Sequence, residues 1–224
     1  MKIASYIDHT LLSPTATQQQ IDQLCREAVE HQFKSVCVSP AYAQRAVQNL
    51  NGKGPCVTSV VGFSTGATTT EVKLYETNQI LEFGVQEIDM VLPHYFFQNG
   101  EFENVVNEIS LLRKHVKKQP KRILKVIIET HFYGPDQIAK ATELCLKAGA
   151  DFVKTCTGFH GGGATIEDVK LIKSIVGDRA FIKASGGIKD ALFANQLIEV
   201  GANRLGTSAG IQLIQGKTPT TGQY

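Results

Sequence analysis

Short apolar runs alternate with longer amphipathic ones along the whole chain. The runs at 6–9, 35–38, 57–63, 87–92, 124–129, 152–155, 180–184 and 204–207 have the length and the β-branched or aromatic content of strands. Between them apolar residues recur at helical spacing. Ile21, Leu24, Cys25, Ala28 and Val29 form one such face, and Ile138, Ala141, Leu144, Cys145 and Ala148 form another. Gly84, Gly149, Gly177 and Gly201 stand where left-handed caps would end helices. Thr165, followed by Glu167 and Asp168, opens a further helix with acids in its first turn. The pattern predicts eight strands, each followed by a helix, the last one short.

Eight strand–helix units in 224 residues point to the α/β class and to a single (β/α)8 TIM barrel at the compact end of its size range. The barrel is expected over residues 1–216, with a flexible tail at 217–224 that has no apolar periodicity. A doubly wound open sheet is the competitor. It usually has fewer strands and would want a nucleotide fingerprint, and no GxGxxG follows the first strand.

Two of the apolar runs contain a lysine near their end, Lys154 and Lys183. Burying an ammonium is costly unless it is paired or loses its proton. Two such lysines close together would lower each other's pKa and prepare an amine for Schiff-base chemistry. The plainer alternative is that each lysine caps an exposed strand end. In a barrel, strands are buried on both faces, and polar residues near their C-terminal ends form the usual reaction face. Asp8, Cys37, Asp89, Lys125, Lys154, Lys183 and Ser208 converge there from different strands. Three lysines and an aspartate around one mouth favour catalysis over structure.

Composition is that of an ordinary soluble globular protein, 42% hydrophobic and 20% charged. A net charge of +2 gives no argument for nucleic acid or an anionic membrane. No apolar run approaches a bilayer span, and no signal peptide is visible. Five cysteines without CxxC spacing fit free thiols in a reducing cytoplasm better than disulfides or a zinc site.

Glycine-rich loops follow the last three strands: Gly158 with Gly161–Gly163, then Gly186 and Gly187, then Gly206 to Gly210. Glycine lets backbone N–H groups approach an anion, and Ser208 adds a hydroxyl, so these loops can hold a phosphate. Taken separately, each is a tight turn.

The segments Ile7-Asp-His-Thr-Leu-Leu12, Ser35-Val-Cys-Val38, Val61-Gly-Phe63, Glu87-Ile-Asp-Met-Val91, Leu124-Lys-Val-Ile-Ile-Glu-Thr130, Phe152-Val-Lys-Thr155, Lys183-Ala-Ser-Gly-Gly187 and Gly206-Thr-Ser208 together resemble the 2-deoxyribose-5-phosphate aldolase family. The resemblance runs from residue 7 to about 210. It implies a cytoplasmic, cofactor-free and metal-free homodimer acting on phosphosugar and aldehyde substrates in deoxyribose phosphate catabolism. By the same resemblance Lys154 is the Schiff-base lysine, Lys183 the neighbouring cation, Asp89 its partner in proton transfer and Lys125 their support. Asp8, Thr10, Cys37, Thr155, Gly158, Gly186, Gly187 and Ser208 match substrate-binding positions. The chain departs from the family at Cys156 for serine, Ser64 for proline, Ala209 for serine, and in a bulky aromatic stretch at 92–97.

Other readings stay open at this stage. One is a different Schiff-base barrel aldolase, transaldolase-like or acting on keto acids. Another is a cofactor-free phosphosugar isomerase using Asp8 and Asp89, and a third is a phosphate-binding barrel without catalysis. The tail is long enough to fold back over a barrel mouth. Its terminal Tyr224 then becomes a candidate for excluding water and relaying a proton, against an incidental chain end.

Overall fold

The computed structural model describes residues 3–216. Its strands are β1 (Ile7–Leu11), β2 (Ser35–Val38), β3 (Cys56–Val61), β4 (Glu87–Val91), β5 (Ile123–Ile127), β6 (Phe152–Lys154), β7 (Phe181–Ser185) and β8 (Arg204–Thr207). All pair in parallel and in sequence order, and β8 returns to β1 through Ile7 opposite Leu205 and Asp8 opposite Gly206. This closed ring is the predicted TIM barrel.

The outer layer is α1 (Gln18–Glu30), α2 (Pro40–Leu50), α3 (Thr70–Glu82), α4 (His94–Gln98), α5 (Phe102–Val116), α6 (Pro135–Lys147), α7 (Ile166–Val176), α8 (Ala191–Glu199) and α9 (Gly210–Gln215). Helix α1 shows why such segments fold. Thr17 Oγ1 accepts the Gln20 N–H at 3.3 Å, and Gln20 Oε1 accepts the Thr17 N–H at 2.8 Å, so both ends of a capping box are present. Ile21, Leu24, Cys25 and Ala28 then face the barrel. Each fully buried Leu or Ile on such a face contributes about 2 kcal/mol. Thr165 caps α7 as its sequence predicts, accepting the Asp168 N–H at 3.0 Å.

Besides shifts of one or two residues at strand ends, such as β1 starting after Tyr6 and running to Leu11, the structure corrects the sequence pattern in three places. Helix α4 lies in the aromatic stretch, between β4 and α5, where apolar spacing predicts no element. Strand β3 stops at Val61 because Gly62 turns the chain with φ of 63°. Beyond β5, Glu129 adopts a left-handed φ of 51°, which ends the extended run before residue 129.

Candidate active site

The barrel interior is charged. Lys125, Lys183, Asp8 and Asp89 are fully buried, and Lys154, Glu87 and Arg204 nearly so. Asp89 on β4 is the hub. Its Oδ1 lies 2.9 Å from Lys125 Nζ, and its Oδ2 accepts from Lys154 Nζ at 2.9 Å and from Lys183 Nζ at 2.7 Å. Lys183 also meets Asp8 Oδ2 at 2.6 Å, and Lys125 meets Glu87 Oε2 at 2.5 Å. Arg204, at the start of β8, joins Asp8 to Glu87 with contacts of 2.7 and 2.8 Å. Lys183, Lys125 and Arg204 each touch two carboxylates, whereas Lys154 touches one, shared with both other lysines.

The electrostatics follow from burial and these contacts. Burial alone would raise the Asp89 carboxyl, but Lys125, Lys154 and Lys183 outweigh it and hold it well below the usual carboxylate range. Burial raises Asp8 too, and Lys183 and Arg204 more than reverse it. Lys183 is the opposite case. Burial would lower it, yet Asp8 and Asp89 hold it above the ordinary lysine value. This corrects the expectation of mutual depression for Lys183, which is held up because it pairs with Asp8 as well as with the Asp89 carboxylate it shares with Lys154. Cys37 is fully buried in β2 beside Lys183 and Asp89, and burial pushes its thiol up.

Lys154 has the fewest carboxylates of the cations in this cluster, and it stands at the C-terminal end of its strand, the face on which barrel enzymes carry their chemistry. Comparison with known proteins bears on which chemistry that serves. A family model described as DeoC/LacD family aldolase matches residues 2–220. The chain belongs to the DeoC/LacD aldolase family. The deoxyribose-phosphate aldolases of Staphylococcus haemolyticus and Carboxydothermus hydrogenoformans are each 49% identical to it over 216 residues, 96% of this chain and 97% and 95% of theirs. A solved tetrameric deoxyribose phosphate aldolase from Aeropyrum pernix superposes with a TM-score of 0.89 at 32% identity, covering 95% of this chain and 89% of that one.

In this aldolase the remaining predicted residues take distinct places. Thr10 Oγ1 donates to the Asp8 carbonyl at 2.8 Å. Thr155 Oγ1 donates to the Ser185 carbonyl at 3.0 Å and so ties β6 to β7. Gly186 meets the preceding glycine loop, where its carbonyl accepts the Ala164 N–H at 3.0 Å. Gly158, Gly187 and Ser208 are exposed around the same rim. Gly206 has to be glycine, since a Cβ there would lie 3.0 Å from Lys183 Cε and 2.8 Å from Ser185 Cβ. Tyr224 lies outside the described residues.

Three residues of the site do not stand out in the sequence pattern. Arg204 and Glu87 are the first residues of their strand runs, where a charge reads as a solvated end. Glu129 is fully buried, its Oε2 accepting the Thr157 N–H at 2.9 Å, and its Oε1 has no hydrogen-bond partner among the described residues.

His94, at the start of α4, bonds through Nδ1 to the Tyr133 hydroxyl at 2.7 Å. Burial, then Lys73 and His160, lowers it from 6.5 to about 4. A histidine depressed in the fold contributes stability that is complete above pH 6.5 and is lost as pH falls toward 4. Urea unfolding of His94→Gln should therefore fall less steeply than wild type between those values, by about 3 kcal/mol in total. Parallel curves would show that His94 does not titrate differently on folding.

No helix among the described residues is long and apolar enough to cross a membrane.

Proposed function

We propose that this aldolase reversibly cleaves 2-deoxy-D-ribose 5-phosphate to D-glyceraldehyde 3-phosphate and acetaldehyde through a Schiff base on Lys154. The observation that carries the reading is the position of Lys154. It is the lysine of the buried cluster with one shared carboxylate, and it retains 3% exposure where Lys125 and Lys183 have none. The matched relatives are named for deoxyribose phosphate, which supports the substrate.

The amine of Lys154 adds to the open-chain aldehyde to give a carbinolamine, which loses water to give a protonated imine. The imine draws the electrons of the C2–C3 bond as the C3 hydroxyl gives up its proton. Glyceraldehyde 3-phosphate leaves, and the enamine of acetaldehyde stays on Lys154. Protonation at its methylene carbon and hydrolysis release acetaldehyde and restore the amine. Asp89, kept ionised by three lysines, and Lys183 move these protons through a water. Lys125 fixes Asp89. The imine is itself the electron sink, so the route calls for no metal or organic cofactor. Residues Asp8, Thr10, Cys37 and Thr155 shape the sugar end of the site. The glycine loops with Ser208 take the phosphate. The reaction would serve deoxyribonucleoside breakdown in the cytoplasm, where the free cysteines are stable. The expected assembly is a homodimer, which light scattering distinguishes from the tetramer of the Aeropyrum pernix relative.

The test is to supply deoxyribose 5-phosphate with borohydride and identify both the adduct and the aldehyde released. Acetaldehyde and a reduced two-carbon adduct on Lys154 are expected. An adduct carrying another carbon skeleton would move the enzyme to a different aldolase reaction, and no adduct would remove Schiff-base chemistry.

Ser208→Glu examines the phosphate end separately. A carboxylate placed against the phosphate should raise KM for the phosphosugar at least about tenfold, because like charges brought together cost several kcal/mol. Free 2-deoxyribose should be almost unaffected. Equal effects on the two sugars would move the phosphate elsewhere.

A further inference from the structure

The loop after β6 does not stay over its own strand. Its root is pinned, since Glu129 holds the Thr157 N–H and Thr157 Oγ1 accepts the Phe159 N–H at 3.2 Å. From there it reaches the loop after β3. The Phe159 ring packs edge-on against Phe63, centroids 5.0 Å apart, and His160 Nε2 makes a 3.0 Å hydrogen bond to the Ser64 carbonyl. His160 also lies 5.4 Å from Phe132 after β5, which lies 5.4 Å from His94 after β4. The segment is therefore a strap from β6 to β3, joined on its way by rings from β4 and β5. These four strands include the three that carry Asp89, Lys125 and Lys154. The glycines at the strap's two ends, Gly158 and Gly163, lie against Gly186 on the side of the loops after β7 and β8, whereas its tip, Phe159 and His160, reaches the other half of the rim.

Phe159 and His160 are bracketed by Gly158 and Gly161, both with φ of 81°, a conformation that strains any other residue. Phe159 is 49% exposed, so its ring lies on the rim and outside the core, with Phe63 as its aromatic neighbour.

We propose that this strap roofs the donor-aldehyde half of the site, with Phe159 and His160 as the residues that restrict the donor to small aldehydes. This deepens the aldolase reading and rests on it. In the synthetic direction the enamine on Lys154 is built from the donor. Acetaldehyde leaves an unsubstituted methylene carbon under the strap. Propanal would place an extra methyl there, and the strap would have to lift from Phe63 and Ser64 to admit it.

The experiment measures aldol addition to glyceraldehyde 3-phosphate with acetaldehyde or propanal as donor, in the full-length enzyme. Phe159→Ala and His160→Ala should each raise the propanal-to-acetaldehyde ratio of kcat/KM roughly tenfold, the scale at which a pocket distinguishes one carbon. Phe159→Tyr keeps the ring, and His160→Gln keeps a donor for Ser64, so both should return the ratio toward wild type. A ratio unchanged in both alanine variants overturns the proposal. Borohydride trapping of acetaldehyde on wild-type Lys154 separates the two levels. Trapping with a flat ratio sinks the strap alone, and no trapping sinks the aldolase reading and the strap with it.

Discussion

Lys154→Ala should abolish borohydride trapping and lower turnover by at least about four orders of magnitude, the scale seen when a covalent nucleophile is removed. The loss should not come from misfolding. The buried cluster holds four cations, Lys125, Lys154, Lys183 and Arg204, against three carboxylates, Asp8, Glu87 and Asp89. Removing Lys154 leaves three of each, and Asp89 keeps Lys125 and Lys183 at 2.9 and 2.7 Å. No charge is orphaned, so thermal unfolding should stay near wild type. Lys154→Arg sharpens the test, because guanidinium keeps the charge but not the nucleophile. It should be as inactive as the alanine variant. Substantial activity in Lys154→Arg would mean that Lys154 acts by charge and that the imine forms elsewhere.

The strands are legible in the sequence because a barrel strand is apolar on both faces, and a run such as Leu124–Ile128 interrupted only by Lys125 suits a doubly buried strand. The lysines are visible for the same reason, as charges where charge is costly. Arg204 and Glu87 carry that signal too, but stand at the first residue of their strands, where a charge reads as a solvated end. What makes them internal is closure of the ring, which brings Arg204 to Asp8 across a separation of 196 residues. No local pattern carries such a distance. Helix α4 is hidden by its aromatic composition and by the lack of a side-chain cap at Pro93. The role of Lys183 also needs the structure. Sequence places two lysines side by side, and register puts Lys154 opposite Lys183, but only the structure shows that Asp8 and Asp89 both reach Lys183 and hold it above the ordinary lysine value.

Lys183→Met should slow trapping at neutral pH by at least about a hundredfold and restore much of it in alkali. Lys183 itself stays charged throughout such an assay. Its folded value is raised, so its ion pairs are fully formed below pH 10.5 and are lost only as pH climbs through the higher folded value. The acid–base behaviour of wild-type trapping is therefore not a titration of Lys183. With Lys183 present, the cluster carries one cation in excess when every group is ionised, and releasing a proton from the lysine with the fewest carboxylates relieves that excess. With methionine in its place, the three remaining cations balance three carboxylates, and Asp89 Oδ2 is left to Lys154 alone. The amine form then becomes harder to reach. The trapping profile should move to higher pH by about one to two units, the usual effect of one nearby charge. Methionine fills the apolar length of the side chain, but Asp8 keeps only Arg204, so some loss of stability accompanies the shift. Lys183→Arg separates the two duties of this position. Guanidinium supplies the charge but cannot give up a proton. Its trapping profile should stay near wild type while proton exchange into the acetaldehyde methyl slows. If Lys183→Met traps with the wild-type profile, Lys183 has no electrostatic hold on Lys154. If Lys183→Arg exchanges protons at the wild-type rate, the shuttle belongs to Asp89 and its water without Lys183.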